Sequence, residues 1–335
     1  MARISDVTIH LGNYQGMRNA IGGKGRLQIT IESLLRCCPC VKEMDFRLID
    51  NSSTDESWQY IHSLPLANKS RRERIQAEPC WLATTINNMQ NLKQTILDTD
   101  RPYIWNVEND SYFYNRDGFL AQALEVLEDS SDVSVVHLRC WVEMDDRDSP
   151  GVPRNLSRVE EVRTTSTGLP FYVMQKRPEY ALWIPLEEDF AEGFRPDPVA
   201  ERGKCPVGVD EIGAVRVRSG KYERLLTEHW NSYTSNGWIG RTADLKHIIE
   251  RYNPLGERQM SVAFKKHFRA AKLERDAFVA FGWGLRTNPT EEERAKALAL
   301  IEENDEMFSA PYRSVRPNYL PGEIKMPSDN PDVYS

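Results

Sequence analysis

Two short polar stretches of the chain contain residue types that could bind a charged ligand. Asp50 and Asn51 open the stretch "DNSSTDES", and Glu108, Asn109 and Asp110 form the stretch "END". Carboxylate and amide oxygens suit Mg²⁺ or Mn²⁺, and the oxygens of a substrate diphosphate can complete the coordination shell. Each stretch by itself is also typical of a solvated turn. The metal hypothesis therefore depends on whether the fold brings the two stretches together.

The segments that precede these stretches have the pattern of β-strands, and amphipathic helices alternate with them. The strand-like segments are "DVTIHLGNY", "FRLID", "YIWNV" and "DVSVVHLRC", and the helix-like segments are "RLQITIESLLRCC", "TTINNMQNLKQTIL" and "NRDGFLAQALEVLED". Strand, helix and strand with short connections form a parallel βαβ unit. The alternation predicts an α/β fold with a doubly wound, mainly parallel sheet flanked by helices, which binds its ligands at the carboxyl ends of the strands.

The stretch after Asn51 also has the signature of a helix start. Ser53 and Glu56 have the S-x-x-E spacing of a capping box, which predicts that the helix "TDESWQYIHSL" begins there. A cap accounts for Ser53 and Glu56 without any chemistry. It does not account for Asp50 and Asn51, which precede it at the end of the strand, so these two are the predicted ligand-binding residues.

Composition predicts a globular chain with a change of character near residue 140. The 335 residues are 40% hydrophobic, enough for a proper core. The stretch "EMDDRDSPGVPRNLSR" is charged and rich in turn residues, as expected of a boundary. We expect a first part over residues 1–140, a mixed α+β part over 141–305, and an extended or disordered Pro-rich tail over 306–335.

Charge and hydropathy limit the classes of partner. Lys and Arg total 43 against 50 Asp and Glu, and the net charge of -7 gives no reason to expect wholesale binding to a polyanion. The chain has no apolar run of about 18 residues and no secretory signal pattern, so we expect a soluble, cytoplasmic protein. The cluster "CCPC" has no second cysteine cluster with which to hold zinc, and it predicts reduced cysteines where Pro39 closes a helix.

The common nucleotide-binding motifs are missing. The first strand is followed by "GNYQGMRNAIGGKGR", which does not match G-x-G-x-x-G. A P-loop ending in Gly23 and Lys24 would need its first glycine where Arg18 stands. The loop still places Arg18, Lys24 and Arg26 among glycines near a strand end, where cations and backbone amides could meet a diphosphate. A flexible connecting loop explains the composition equally well.

Taken together, these segments resemble the nucleotide-binding half of the GT-A-fold glycosyltransferases, in particular the inverting family 2. The resemblance covers roughly residues 5–140 and rests on "VTIHLGNY", "LQITIESLL", "FRLIDNSSTDES" and "YIWNVENDSYFY". "DNSSTDES" is its most specific element, and "END" differs from the commoner Asp-rich triplet by its leading glutamate. The implied protein is a hexosyltransferase that binds a nucleotide sugar with residues 1–140 and an acceptor with residues 141–305.

The resemblance also implies roles for individual residues on the donor side. Asn13 and Tyr14 would line the nucleoside pocket, with Arg18 nearby in the glycine-rich loop. Asp50 and Asn51 would contact the base and the ribose. Since Asn51 replaces the second aspartate of many family members, UDP-, dTDP- and GDP-sugars all stay open as donors.

The same resemblance implies a Mn²⁺ or Mg²⁺ cofactor and a catalytic base. Asp110 would be the principal metal ligand, and Glu108 would bind the metal directly, bind it through water, or touch the donor sugar. A leaving nucleoside diphosphate needs its negative charge stabilised, which a divalent ion can do. Many members have a further histidine ligand near the end of the catalytic region, but the matching stretch "FVAFGWGLR" contains none.

The attacking hydroxyl needs a general base, usually a carboxylate, on the opposite face of the sugar. In many family members an acid opens a helix beside the acceptor site, and the stretch "NPLGERQMSVAFKKHFRAAKL" makes Glu257 the first candidate. Asp210 and Glu211 in "GVDEIGAV" are the alternatives. Each of the three can equally be an ordinary surface acid or a favourable charge in the first turn of a helix.

The acceptor is not encoded in a recognisable motif. A glycan, a lipid-linked sugar or a protein would fit, the acidic charge argues against a nucleic-acid acceptor, and peripheral membrane association stays open. Two other functions are considered. A sugar-phosphate nucleotidyltransferase should have a G-x-G-T/S-R loop after the first strand, which is missing here. A non-catalytic binding protein that keeps the fold is the second, and the altered triplet and the missing histidine favour it.

Overall fold

The structure is a computed structural model that describes the following residues: 3–18, 20–66, 70–75, 81–116, 118–138, 159–174, 182–185, 206–209, 215–219, 222–227, 237–254, 260, 263–264, 267–274, 277–280, 291, 295, 297–299 and 301–302. Its helices are α1 (Arg26–Cys37), α2 (Ser57–Ser63), α3 (Trp81–Asp98), α4 (Phe119–Asp129) and α5 (Thr242–Tyr252). Its strands are β1 (Val7–Asn13), β2 (Asp45–Asn51), β3 (Arg71–Ile75), β4 (Tyr103–Glu108), β5 (Ser111–Phe113), β6 (Val133–His137), β7 (Val159–Thr164), β8 (Pro170–Met174), β9 (Leu182–Pro185), β10 (Pro206–Val209), β11 (Val215–Ser219), β12 (Tyr222–Thr227), β13 (Trp238–Arg241), β14 (Arg269–Leu273) and β15 (Phe278–Ala280).

A nine-stranded sheet in the order β3-β2-β1-β4-β13-β6-β14-β8-β7 organises the structure. Its first four strands are all parallel. β13 is antiparallel to both of its neighbours, β4 and β6, so strands from both sides of residue 140 hydrogen-bond in this sheet. β6 and β14 are parallel, and β8 and β7 add antiparallel pairs. The predicted α/β fold, with helices flanking a sheet that is parallel in its first part and mixed beyond, is confirmed.

Two smaller sheets complete the described architecture. β10, β11, β12 and β9 form an antiparallel sheet of four strands in that order. β5, which directly follows the "END" stretch, pairs antiparallel with β15. The residues immediately after Asp110 are therefore hydrogen-bonded to a strand that lies much later in the chain.

The helices pack on the large sheet through the apolar faces that the sequence predicts. On α1, Leu27, Ile31 and Leu34 are at most 1% exposed. Aromatic rings fill the core on the α4 side, where Trp105 makes edge contacts with Phe113 and Phe119 at ring-centroid distances of 6.0 and 5.6 Å. Burying each such side chain stabilises the fold by about 1.5–3 kcal/mol.

The end of α4 is closed by an arginine from β13. The Arg241 guanidinium donates to the carbonyl oxygens of Leu127, Ser130 and Ser131, with distances of 2.6 Å to Ser130 and 3.2 Å to Ser131. Carbonyls in the last turn of a helix lack intrahelical donors, and a cation there also opposes the negative end of the helix dipole. Arg241 thus joins α4 to the antiparallel strand at the centre of the sheet.

The predicted capping box at Ser53 and Glu56 is wrong. α2 begins at Ser57, and its N-cap residue Glu56 makes no side-chain capping bond. The Ser53 hydroxyl instead accepts a hydrogen bond from the backbone N–H of Gln15, at 2.9 Å, so a contact with a distant loop replaces the local one. Asp55 takes over part of the capping role, since its Oδ1 accepts from the backbone N–H of Ser57 at 3.0 Å.

The predicted end of the first helix is confirmed. α1 stops at Cys37, and a 3₁₀ turn over Pro39–Glu43 leads into β2. Cys37, Cys38 and Cys40 are free thiols. Within the described ranges, no helix is both long enough and apolar enough to cross a lipid bilayer.

Candidate functional site

The carboxyl ends of β1, β2 and β4 meet at the side chain of Asn13. The Asn13 Nδ2 donates to Asp50 Oδ1 at 2.7 Å and to Ser53 Oγ at 3.2 Å. The Asn13 Oδ1 accepts from Asn109 Nδ2 at 2.7 Å. Asn13 is fully buried. We call Asn13, Asp50, Ser53 and Asn109 the strand-end hub, and it confirms that the two polar stretches lie at one edge of the sheet.

Asp50 is the most heavily bonded member of the hub. Besides the Asn13 amide, its carboxylate accepts from the Ser53 hydroxyl at 2.5 Å and from the Ser53 backbone N–H at 3.1 Å. The Arg74 Nε lies 3.6 Å from Asp50 Oδ2. These four contacts hold the Asp50 carboxylate in one position. Asp50 lies at the predicted edge of the sheet and is fully buried by internal contacts.

The neighbours of the hub lie at the same edge of the sheet and differ in exposure, from the buried Asn51 to the exposed Arg74. The Asn51 Oδ1 accepts from Asn91 Nδ2 on α3 at 2.7 Å. The Arg74 side chain is 41% exposed, donates to the Ser53 carbonyl at 2.7 Å, and lies over the Trp58 ring at 6.0 Å. Tyr14 is half-buried. We call the two more exposed side chains, Tyr14 and Arg74, the rim of the hub.

Backbone strain occurs at two of these strand ends. Gln15 and Ser52 have φ angles of 51° and 57°, in the left-handed region that non-glycine residues seldom adopt. Each costs on the order of 1 kcal/mol or more, which is common near functional sites. At Gly16 a Cβ atom would lie 2.2 Å from Asn13 Oδ1 and 2.7 Å from Leu27 Cβ. Only glycine lets the loop after β1 pass this close to the hub.

The loop after β1 already uses its backbone amides within the protein. The N–H groups of Met17 and Arg18 both donate to Asp55 Oδ2 at 2.9 Å. Lys24, one of the cations predicted to meet a diphosphate, forms a 2.6 Å ion pair with Glu32. The Asp55 carboxylate therefore occupies the position in which these amides could have bound a phosphate. Arg18 is exposed at the loop tip, and its contact with the donor stays a prediction.

Asp110 differs from Asp50 in its bonding. It is 5% exposed, and its buried Oδ1 has no hydrogen-bond partner among the described residues. The backbone just beyond it is fixed, because Ser111 N–H donates to Thr30 Oγ1 at 3.1 Å and Phe113 N–H to Ser33 Oγ at 3.0 Å. A buried carboxylate oxygen without a donor costs roughly 1–3 kcal/mol. Such an atom suits a metal ligand better than a structural acid.

A buried arginine on α1, Arg26, lies near Gln15 and Asp110. Arg26 is 4% exposed and donates to the Gln15 carbonyl at 3.3 Å. Burial lowers the pKa of Arg26, and the negative charges of Asp110 and Asp55 oppose that shift. The site therefore contains a fixed internal cation that the sequence analysis did not connect with Asp110. A polar i, i+4, i+7 stripe of Arg26, Thr30 and Ser33 on α1 was the available signal.

The acids present fit a divalent ion that completes its shell from the substrate. Among the described residues, no group of three or more His, Cys, Asp and Glu side chains could hold a metal. Glu108 ends β4 and is half-buried, two residues before Asp110. Mg²⁺ is usually bound by one or two carboxylates together with substrate phosphates and water. Glu108 and Asp110 can supply the protein's share of such a shell.

The predicted catalytic bases are not among the residues that the structure describes. Glu257, Asp210 and Glu211 all lie outside the described ranges. Three residues of the site were missed by sequence reasoning: Arg74, Asn91 and Asn109. Arg26 was expected beside a diphosphate, and the structure instead buries it at 4% exposure. Asn109 stood inside a stretch already singled out, and Arg74 is the last residue but one of β3, so both could have been found by extending the strand-end argument.

Comparison with known proteins gives structural likeness only. No protein-family profile matches the chain, and no curated protein sequence matches it. Among solved structures it is similar to residues 1–349 of S. aureus TarS in complex with UDP, at 15% identity and a TM-score of 0.43 over 90% of this chain and 72% of that chain. It is also similar to the mannosyltransferase PcManGT from Pyrobaculum calidifontis in complex with GDP-Man and Mn²⁺, at 10% identity and a TM-score of 0.39 over 92% of this chain and 76% of that chain.

A third similar structure is CMP:2-keto-3-deoxy-manno-octonic acid synthetase complexed with CTP, at 13% identity and a TM-score of 0.42 over 89% of this chain and 98% of that chain. Because these identities and TM-scores are low, the likeness carries no argument about activity. The function has to be argued from the contacts within this chain.

Proposed function

We propose that the protein is a glycosyltransferase that moves a sugar from a nucleotide-diphosphate donor to an acceptor hydroxyl with the help of Mn²⁺ or Mg²⁺. The observation that carries the proposal is the buried Asp110 oxygen without an internal donor, placed beside three joined strand ends. The carboxyl edge of a parallel sheet is the expected place for a nucleotide. Residues 1–140 bind the donor in this proposal, and residues 141–305 bind the acceptor.

In the donor site, the hub and its rim have different roles. Asn13 and Asp50 are fully buried and hold the strand ends in register, so Asp50 acts on the nucleoside mainly by positioning its neighbours. Tyr14 and Arg74 are more exposed and are better placed to reach the base and the ribose, while the contact expected of the buried Asn51 stays a prediction. An arginine plane can stack on any nucleobase and donate to its carbonyl edges. The base preference among UDP, dTDP and GDP is thus assigned to the rim.

Glu108 and Asp110 would hold the divalent ion. When bound, the ion stabilises the negative charge on the leaving nucleoside diphosphate. The protein's own contribution is the fixed position of Asp110, which the α1 hydroxyls of Thr30 and Ser33 secure through the backbone that follows it. Because the Asp110 side chain is already held in place, binding the ion costs little conformational entropy.

The transfer itself needs a carboxylate on the acceptor side, for which Glu257 is the first candidate, with Asp210 and Glu211 as alternatives. The carboxylate takes the proton of the acceptor hydroxyl while that oxygen bonds to the anomeric carbon. The bond between the anomeric carbon and the diphosphate oxygen breaks at the same time, and the nucleoside diphosphate leaves with the electron pair. Attack from the face opposite the leaving group inverts the anomeric configuration.

A thermal-shift panel tests the donor half of the proposal. The full chain is heated with UDP-, dTDP- and GDP-sugars, each with Mn²⁺, with Mg²⁺ and with EDTA. One donor class should raise the melting temperature when metal is present, since a ligand at about 100 times its Kd stabilises the folded chain by about 2.7 kcal/mol. Most of that shift should be lost in EDTA. A panel in which no donor shifts the melting temperature under any metal condition would show the proposal to be wrong.

Acid-to-amide variants test the choice of base. Glu257→Gln should lower transfer by about a hundredfold or more while leaving the thermal shift by the donor unchanged, because general-base catalysis contributes about 10²–10⁴-fold. Asp210→Asn and Glu211→Gln are the matched variants. If Glu257→Gln keeps full turnover and one of the others loses it, the role moves to that residue.

A further inference from the structure

Cys38 and Cys40 form a close thiol pair at the opposite end of α1 from the strand-end hub. α1 ends at Cys37, and Pro39 begins the 3₁₀ turn that leads to β2. The turn brings Cys38 Sγ and Cys40 Sγ to 3.0 Å. That distance is only about 1 Å longer than a disulfide bond of about 2.05 Å. Little movement separates the dithiol from a disulfide.

The two sulfur atoms differ in their access to solvent. Cys37 and Cys38 are each 8% exposed, whereas Cys40 is only half-buried. The hydrogen bond from Cys38 lowers the pKa of Cys40 to about 7, and the same contact raises the pKa of Cys38. An oxidant arriving from solvent therefore meets Cys40 first, with a buried thiol directly behind it. This is the arrangement of an attacking and a resolving cysteine.

We propose that Cys38 and Cys40 are an oxidation site that forms a reversible disulfide on reaction with a hydroperoxide. The Cys40 thiolate attacks hydrogen peroxide, which gives a sulfenic acid and hydroxide. The Cys38 sulfur then attacks the Cys40 sulfur, and the Cys38 proton leaves with the sulfenic hydroxyl as water. The proton that Cys40 released when it ionised neutralises the hydroxide from the first step. Overall two thiols and one hydrogen peroxide give one disulfide and two waters. A dithiol such as dithiothreitol reverses the reaction by thiol–disulfide exchange.

The site adds a chemical property that the proposed transfer reaction does not use. α1 carries Arg26 at its other end, and β2 begins at Asp45 and reaches the hub only at Asp50. The bond would form in the turn that joins these two elements. A failure of the oxidation site would leave the proposed donor site unaffected, and the reverse also holds.

Peptide mass analysis of the full chain tests the proposal. The chain is treated with roughly equimolar hydrogen peroxide, blocked with N-ethylmaleimide under denaturing conditions and cut with trypsin, which releases Cys37–Lys42 as one peptide. We expect that peptide to lose two hydrogens and to carry one maleimide, on Cys37. Dithiothreitol added before blocking should restore all three maleimides. Three maleimides after peroxide, or a Cys40 sulfinic acid without the cross-link, would overturn the proposal.

Single substitutions identify the pair. Cys37→Ala should keep the loss of two hydrogens, whereas Cys38→Ser and Cys40→Ser should abolish it. A cross-link that survives Cys40→Ser would assign it to Cys37 and Cys38 and disprove the proposed pair. A peroxide-dependent cross-link from Cys40 to Cys80, Cys140 or Cys205 would disprove it as well. The wild-type peptide measurement stands even if a serine variant fails to fold.

Discussion

Two clusters of charged side chains in the described structure differ in how their charges are balanced. The first surrounds the strand-end hub, where Asn13, Asp50 and Asp110 are at most 5% exposed. The second joins β6, β7 and β14 through Asp132, Glu161, Arg163 and Arg269, whose side chains are 23–44% exposed. We call it the surface ion network. In the network each carboxylate lies within 3.0 Å of a guanidinium nitrogen.

The difference separates a structural cluster from a ligand site. The charges in the surface ion network are partly solvated, so their pairing adds little to the free energy of unfolding and no further partner is needed. The hub is dry, and nearly every polar atom there is bonded because a buried unmade bond is costly. Three buried atoms next to the hub, Gln15 Oε1, Ser111 Oγ and Asp110 Oδ1, have no partner among the described residues, and of these three Asp110 is the acid. A protein keeps such a group where binding or catalysis uses it.

The largest effect is expected from breaking the hub. Asn13→Ala removes bonds of 2.7 Å to the buried Asp50 and 2.7 Å to the half-buried Asn109. We expect a loss of about 3–5 kcal/mol in the free energy of unfolding, since the charged Asp50 loses a donor. Denaturant unfolding measures it. Gln94→Ala, which removes an exposed amide bonded to Asp98, is the control and should change stability by less than about 0.5 kcal/mol. Equal losses in the two variants would contradict the hub.

Asp110→Asn separates binding from stability. The amide keeps the shape of the side chain but removes the charge, so the metal-dependent affinity for the donor should fall at least about a hundredfold, or about 2.7 kcal/mol. Stability should change by no more than about 1 kcal/mol, because the lost attraction to buried Arg26 is offset by removal of a desolvated charge. Donor titration with Mn²⁺ and urea unfolding are the two measurements.

Asp100→Asn is the control for that variant, since the Asp100 side chain is 94% exposed. It should leave both donor affinity and stability unchanged. If Asp110→Asn bound the donor normally but unfolded several kcal/mol more easily, Asp110 would be a structural counter-ion of Arg26. The contrast between the two clusters would then be one of burial alone.

A buried histidine makes the stability of the fold depend on pH. His10 on β1 is 2% exposed and bonds to Thr95 Oγ1 at 3.0 Å. Burial, with a smaller effect of the Arg47 charge, lowers the pKa of His10 from 6.5 to about 3. In the unfolded chain the His10 imidazole therefore becomes protonated below about pH 6.5, whereas in the folded chain it becomes protonated only near pH 3. Stability falls as the pH drops through this window, and His10 should cost about 2 kcal/mol between pH 7 and pH 5.

Urea unfolding at pH 7 and pH 5 measures that loss. His10→Gln should reduce the difference between the two pH values by about 2 kcal/mol relative to the wild type. His62→Gln is the control, because His62 is exposed on α2. An undiminished pH dependence in His10→Gln would mean that other groups cause the acid sensitivity.

The sequence predicts individual helices and strands but not the order in which distant strands pair in the sheet. The alternation of strands and helices up to residue 140 follows short periodic patterns, so strands β1, β2, β4 and β6 and helices α1, α3 and α4 could be predicted. The position of β13 between β4 and β6 could not, because no local pattern encodes strand order across about a hundred residues.

The same limit applies to the site. Asp50, Asn51 and Asp110 were found because parallel strands end at one edge, which is a general property of the fold. Ser53 was misread because its spacing to Glu56 suits a local cap, whereas its true partners, Gln15 and Asn13, lie 38 and 40 residues away. Long-range contacts override local spacing wherever a buried donor needs an acceptor. The bases proposed on the acceptor side have no such constraint in the described residues and stay predictions.

The smallest effect is expected from the surface ion network, and it sharpens the comparison through its salt dependence. Arg163 donates to both oxygens of Asp132, at 2.8 and 3.0 Å, and also bonds to Glu161. Arg163→Met should cost only about 1 kcal/mol in low salt, since exposed pairs contribute little even with good geometry. In 1 M NaCl, where the Debye length is about 3 Å, most of that cost should vanish. Arg71→Met on the exposed edge strand β3 is the control, with no expected salt effect. The stability lost in Asn13→Ala should stay the same in 1 M NaCl, because Asn13 and Asp50 are fully buried. If the stability lost in Arg163→Met did not change with salt either, the surface ion network too would be held by desolvated contacts.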